Sequence, residues 1–183
     1  VIYLTKRNLL LFVCTGNTCR SPLAKVLAEK ILREEGQDNW RADSAGTAAL
    51  YGMSASGQAI AAADALGLDL SLHQSKPLTD KLVREADLIL TMTGAHKQAI
   101  LQAAPEASGK VFTLAEFAGS EGDVADPIGG STALYLETAE HLQRLLGEAA
   151  KKLPAYTGRK QDNKTSDQKR NAGRKKNENS AGQ

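Results

Sequence analysis

Residues 8–13, Asn-Leu-Leu-Leu-Phe-Val, form a short continuous apolar run. That is the pattern of a strand buried on both faces, as in a parallel sheet. Residues 87–92 carry a second such run around Leu88, Ile89 and Leu90. Weaker strand candidates lie at 40–45 and 110–114. Between them the apolar positions take a helical period. Leu23, Val26, Leu27, Ile31 and Leu32 recur at that spacing after Pro22, which suits a first helical turn, and the segment closes at Gly36. Residues 58–66 are Ala-rich and end at Gly67, a C-terminal cap. Thr79 caps a short helix to 86, residues 94–104 form a helix stopped by Pro105, and residues 132–153 form the last one. In that last helix Leu142, Leu145, Leu146 and Ala149 share the inward face. Residues 14–21 and 126–131 read as loops. Strands alternating with helical stretches predict a single-domain α/β fold with a parallel sheet.

After Pro154 the apolar periodicity stops, and Lys, Asn, Gln, Ser, Asp and Gly dominate. Such a segment buries too little apolar surface to offset its ordering entropy. The expected division is a folded domain at 1–154 and a disordered tail at 155–183. Charge follows the same boundary. The 183-residue chain has 23 Lys/Arg and 21 Asp/Glu, but residues 151–183 hold ten of the basic and only three of the acidic side chains. An acidic body thus carries a basic tail. No aromatic follows Tyr156, so the tail has no stacking partners for bases. It reads as a solvated extension, with a loose polyanion or membrane-surface tether as the alternative, and no obligate nucleic-acid partner is expected.

Two Cys exclude a disulfide scaffold and a four-thiolate zinc site. No apolar run approaches the roughly 18 residues of a membrane span. Lys6-Arg7 followed by the 9–13 run opens like a signal peptide, but the apolar core is short and no small-x-small site follows. A reducing, cytoplasmic setting is expected.

The informative segment is Cys14-Thr15-Gly16-Asn17-Thr18-Cys19-Arg20-Ser21-Pro22, between a buried strand and a helix N-terminus. Ligands of open α/β sheets bind beyond the carboxyl ends of strands. A helix N-terminus adds unpaired N–H groups and partial positive charge, which suit phosphate. Gly16 is expected to let the backbone curl so that successive N–H groups point inward. Cys14 opens the loop, where a helix N-terminus and a guanidinium favour the nucleophilic thiolate. Arg20 closes it, with a planar fork able to hold two phosphoryl oxygens. Ser21 can donate a hydrogen bond to the thiolate. A thiolate attacking phosphorus needs an acid for the leaving group, and Asp126, in Asp126-Pro127-Ile128-Gly129-Gly130, is the candidate.

With these residues the chain resembles the low-molecular-weight phosphatase family, which includes tyrosine phosphatases, arsenate reductases and bacterial protein-arginine phosphatases. The likeness covers roughly residues 8–153. It rests on the loop 13–22, on Asp43-Ser44-Ala45-Gly46-Thr47, on residues 86–93 and on Asp126-Pro127. The resemblance implies a four-stranded parallel sheet flanked by helices, with the phosphate loop after the first strand. It also implies a mechanism without metal or cofactor acting on phosphorylated proteins. Cys14 takes the phosphoryl group while Asp126 protonates the leaving group, and Asp126 then activates water. Asn17, Ser21, Ser44 and His73 match the positions that buttress the loop.

Substrate choice turns on two positions. Tyrosine-directed members place aromatic side chains directly after the Asp-Pro. This chain has Ile128 and Gly129 there, and only eight aromatics in all. Tyr51 is the candidate for one pocket wall. The second position is Thr18, where tyrosine-directed members carry Ile and members acting on phosphoarginine carry Thr. Thr15 and the 126–131 run also resemble the arginine phosphatases. Phosphoarginine is therefore the expected substrate and phosphotyrosine the alternative. An arsenate reductase would use resolving thiols later in the chain, and no Cys follows Cys19. A non-catalytic phosphate-binding module would have no need of Cys14, Arg20 and Asp126 together. Cys14 and Cys19 can pair under oxidation, a reversible protection of the nucleophile.

Overall fold

The computed structural model describes residues 6–156. Four strands, β1 (Asn8–Cys14), β2 (Trp40–Gly46), β3 (Leu88–Thr91) and β4 (Val111–Thr113), form one all-parallel sheet in the order β2-β1-β3-β4. Helices α1 (Arg20–Glu34), α2 (Gly57–Ala65), α3 (Asp80–Glu85), α4 (Gly94–Ala103), α5 (Leu114–Ala118) and α6 (Thr132–Lys152) flank it.

Strand β1 is central because its side chains are apolar on both faces. Leu10 and Phe12 pack into one core with Leu23, Leu27, Leu142 and Leu146 from α1 and α6. Leu9, Leu11 and Val13 point the other way, against Val83 of α3 and Ile100 of α4. This is the period-2 alternation of a strand, with helices covering both sides. Burying each such Leu or Phe stabilises the fold by about 1.5–3 kcal/mol. The chain moves from β1 to one side for β2 and to the other for β3, so the carboxyl end of β1 is where strand order reverses. That is the usual ligand position in such sheets.

Two boundaries differ from expectation. Strand β4 is only three residues long, and Leu114 already begins α5. The cause is a capping box: the Thr113 side chain accepts from the Glu116 N–H, and the Glu116 carboxylate accepts from the Thr113 N–H. The folded body also continues past residue 154. Ala155 completes a 3-10 turn, and Tyr156 packs edge-on against Phe117 and tilted against Trp40, with ring centroids 5.7 and 6.3 Å apart. Its hydroxyl donates to the carbonyls of Asp87 and Gly109 at 3.3 and 3.4 Å. Burial and the Asp87 charge push that phenol up to about 12. The expectation of a disordered tail otherwise falls on residues 157–183, which lie outside the described residues. Among the described residues no helix is long and apolar enough to cross a membrane.

Candidate active site

Cys14 is the last residue of β1 and lies in register with Gly46 at the end of β2. The chain then turns back over the sheet's carboxyl edge to reach α1. Gly46 makes room for that turn: a Cβ there would stand 2.3 Å from the Thr15 carbonyl oxygen and 3.0 Å from the Asn17 nitrogen. The residue with left-handed backbone is Asn17, at φ 55°, and not Gly16. Asn tolerates that region because its short polar side chain bonds locally. Gly16 needs no such conformation, and a Cβ on it would make only ordinary contact with Thr18.

Asn17 is fully buried and organises the loop from behind. Its Nδ2 donates to Ser21 Oγ and to Ser44 Oγ, both at 2.9 Å, and its Oδ1 accepts from the Lys76 N–H at 2.9 Å. His73 Nε2 donates to the Asn17 carbonyl at 2.7 Å. Burial holds the His73 imidazole below its ordinary range, against the opposing pull of that carbonyl. Because Ser21 Oγ accepts from Asn17, its own proton is free for Cys14 Sγ, 3.0 Å away. The competing acceptor, the Ala45 carbonyl, is farther, at 3.4 Å. Neighbouring backbone pins the loop from outside: Thr47, Ala48 and Ser56 N–H groups donate to the carbonyls of Cys14, Thr15 and Thr18.

Arg20 is the first residue of α1 and is buried. Its Nη1 donates to the Val124 carbonyl at 3.0 Å and its Nη2 to Asp126 Oδ2 at 2.6 Å. Its Nε is buried and has no acceptor. Buried donors are nearly always paired, so this N–H marks a place for an anion. No side chain caps α1, which leaves its first N–H groups for a ligand as well. Asp126 reaches Arg20 from the loop before α6, and its other oxygen accepts from the Ile128 N–H at 3.3 Å. Together these residues enclose a cavity of about 180 Å³, lined by Cys14, Thr15, Gly16, Thr18, Cys19, Arg20, Asp126 and Ile128. A nucleophile at the end of a strand, an anion cradle and a carboxyl group thus face one small space.

A profile described as low molecular weight phosphotyrosine protein phosphatase matches residues 9–159. This chain belongs to that family. It is similar to the protein-arginine-phosphatase of Bacillus subtilis, with 45% identity over 145 residues, 79% of this chain and 95% of the relative. It is also similar to the low molecular weight protein-tyrosine-phosphatase PtpB of Staphylococcus haemolyticus, at 37% identity, 75% of this chain and 94% of the relative. Among solved structures, a cysteine-to-serine mutant of the YwlE arginine phosphatase with a phosphorylated active-site serine superposes at a TM-score of 0.76. It is 44% identical and covers 80% of this chain and 95% of its own. The chain is therefore a cysteine-dependent phosphatase of the low-molecular-weight family, a class that acts on phosphoproteins.

Within this family framework most of the expected site residues come together. Cys14, Thr15, Gly16, Thr18, Cys19, Arg20, Asp126 and Ile128 face the cavity, and Asn17, Ser21, Ser44 and His73 stand behind it. Tyr51 does not join them. It is 74% exposed on the segment between β2 and α2 and does not line the cavity. Its turn is held by Ser75, which pairs with Gly52 and Met53 through backbone and side chain. Three partners were not read from the sequence. His96 of α4 bonds Thr15, while Tyr135 of α6 and Ser56, the cap of α2, both contact the Cys19 sulfur, at 3.3 and 3.4 Å. Burial and Cys19 raise the Tyr135 phenol, which keeps it a neutral hydrogen-bonding group.

Proposed function

We propose that this chain hydrolyses phosphoarginine in proteins through a phosphocysteine on Cys14. The phosphoryl oxygens sit against the loop N–H groups and the Arg20 fork, including the bare Nε. An oxygen arriving at Nη2 replaces Asp126 there and frees its carboxyl group for the leaving group. Cys14 Sγ attacks phosphorus, the P–N bond breaks, and Asp126 gives its proton to the departing guanidine nitrogen. In the second step Asp126 takes a proton from water, the water oxygen bonds phosphorus, and the P–S bond breaks. The Ser21 hydroxyl, 3.0 Å from Sγ, stabilises the thiolate that leaves. Inorganic phosphate is released. The proposed setting is a reducing cytoplasm, where the thiolate persists.

The observation that carries the substrate assignment is the wall of the cavity. Thr18 and Ile128 line it, and among the described residues no aromatic side chain does. Trp40, Phe112, Phe117 and Tyr156 form a chain of ring contacts, and none of the four lines the cavity. A phenyl ring would lose stacking contacts worth on the order of 0.5–1.5 kcal/mol each. A guanidine leaving group asks instead for Asp126 as acid and counter-charge. The names of the Bacillus relative and of the YwlE structure point the same way. The second reading, phosphotyrosine, rests on the PtpB relative and on the family description.

Rapid acid quenching during turnover of a phosphoarginine peptide tests the mechanism. The expected result is a phosphorylated peptide containing Cys14, identified by mass spectrometry. Turnover with no such adduct, or with an adduct on another residue, would overturn it.

A further inference from the structure

We infer that His96 is a positioning residue that presents the Thr15 hydroxyl to the phosphoryl group as a hydrogen-bond donor. The inference rests on reading the cavity as a phosphoryl site. His96 lies in the first turn of α4 and is buried. Its Nε2 is 2.8 Å from Thr15 Oγ1 and its Nδ1 is 2.9 Å from Thr93 Oγ1.

The direction of these two bonds depends on the tautomer, and the ligand decides between them. Thr93 caps α4, so its Oγ1 already accepts from the His96 backbone N–H at 3.2 Å. Its own proton is then available for Nδ1. A neutral imidazole that accepts at Nδ1 carries its hydrogen on Nε2, and Nε2 donates to Thr15 Oγ1. The Thr15 proton is left over, on a residue that lines the cavity. The other tautomer would use the Thr15 proton on His96 and turn bare lone pairs toward an anion. A dianionic ligand selects the first arrangement.

The imidazole is kept in the form this relay needs. Burial and the Arg20 guanidinium hold it below its ordinary range, and the carboxylates of Asp126 and Asp123 oppose them only in part. Thr15 is the residue after the nucleophile and lines the same cavity as Arg20, so a donor fixed there adds to the Arg20 fork. Ordered side chains one step behind the reacting groups commonly set such orientations.

The test uses the conservative pair of substitutions. Asn places its amide near the Nδ1 position and Gln near the Nε2 position. His96→Asn can therefore keep the bond to Thr93 and lose Thr15, while His96→Gln can still donate to Thr15. The readout is the competitive inhibition constant of inorganic phosphate, with KM and kcat measured separately. His96→Asn is expected to weaken phosphate about tenfold, the size of one charge-assisted hydrogen bond. Thr15→Val should lose the same factor, and the double variant Thr15→Val/His96→Asn no more than either alone. His96→Gln should recover most of the affinity. Equal losses in the Asn and Gln variants, or losses that multiply in the double variant, would overturn the inference. So would an unchanged phosphate constant in Thr15→Val, a substitution at an exposed position that does not depend on the folding of the His96 variants. If the unaltered protein fails to bind phosphate at all, the phosphoryl reading falls, and the inference with it.

Discussion

Asn17→Ala is the sharpest single perturbation of the loop. The side chain makes three hydrogen bonds at 2.9 Å, two to serine hydroxyls and one from the Lys76 N–H. Each contributes about 0.5–1.5 kcal/mol net, and a stranded donor adds to the loss. Ala must also adopt φ 55°, at a cost of roughly 1–2 kcal/mol. The sum is about 2.5–6.5 kcal/mol before the stranded donor is counted. For a chain of this size that corresponds to a fall in Tm on the order of 10 °C. Chemical denaturation should show a lower midpoint with an unchanged slope. The substitution also releases Ser21 from Asn17, so its proton can turn from Cys14 to the Ala45 carbonyl. A lost bond to a charged group is worth about 1.5–3 kcal/mol, so kcat should fall at least tenfold under conditions where the variant is folded. Asn17→Asp separates the two effects. It keeps the acceptor for Lys76 and the left-handed preference, and loses both donors. Stability should recover in part while kcat stays low. A variant Asn17→Ala within about 1 kcal/mol of the unaltered protein, with full kcat, would refute the reasoning.

Three further outcomes follow from the same geometry. Asp126→Asn should lower kcat by about 10²–10⁴-fold with little change in fold stability, checked by steady-state kinetics beside a thermal melt. Mild peroxide should convert Cys14 to a sulfenic acid that Cys19 then displaces, giving a disulfide and water; peptide mass spectrometry that finds Cys14 sulfinic acid beside a free Cys19 would contradict this. His73 and His96 are both held below the ordinary value of 6.5, so the unfolded chain binds protons first on acidification. Their contribution to stability is complete above that value and is lost as pH falls through the lowered folded values. Melting curves should show Tm dropping across that window, and less steeply in His73→Asn.

The parts of the fold written in local sequence were legible. Strands β1 and β3 are continuous apolar runs because both faces are covered, and a strand of that kind has no polar alternation to obscure it. Helix limits at Thr79, Thr93 and Ser131 follow from side chains that accept the first free N–H groups. Helix α5 was missed although its capping box, Thr113 to Glu116, is a local signal. The preceding Val-Phe-Thr-Leu run reads as strand, and five residues show too little periodicity to contradict it.

The site divides in the same way. Cys14, Arg20 and Ser21 share one segment and could be read together. Asp126 could be read only beside the Cys14 loop, since nothing local separates an Asp-Pro acid from an ordinary turn, and His73 needed the family resemblance. His96 gave no signal: a single His on a short helix meets Thr15 across 81 positions of chain, and only the fold makes that contact. Tyr51 shows the converse case: its type suits a pocket wall, but the residue stands exposed on a turn held by Ser75 and is not among those lining the cavity.

The most direct test of the central claim is kcat/KM for a phosphoarginine peptide against a matched phosphotyrosine peptide, on this protein and on Thr18→Ile. The account predicts at least a tenfold preference for phosphoarginine, about 1.4 kcal/mol, that narrows or reverses in the variant. A preference for phosphotyrosine in the unaltered protein would contradict it.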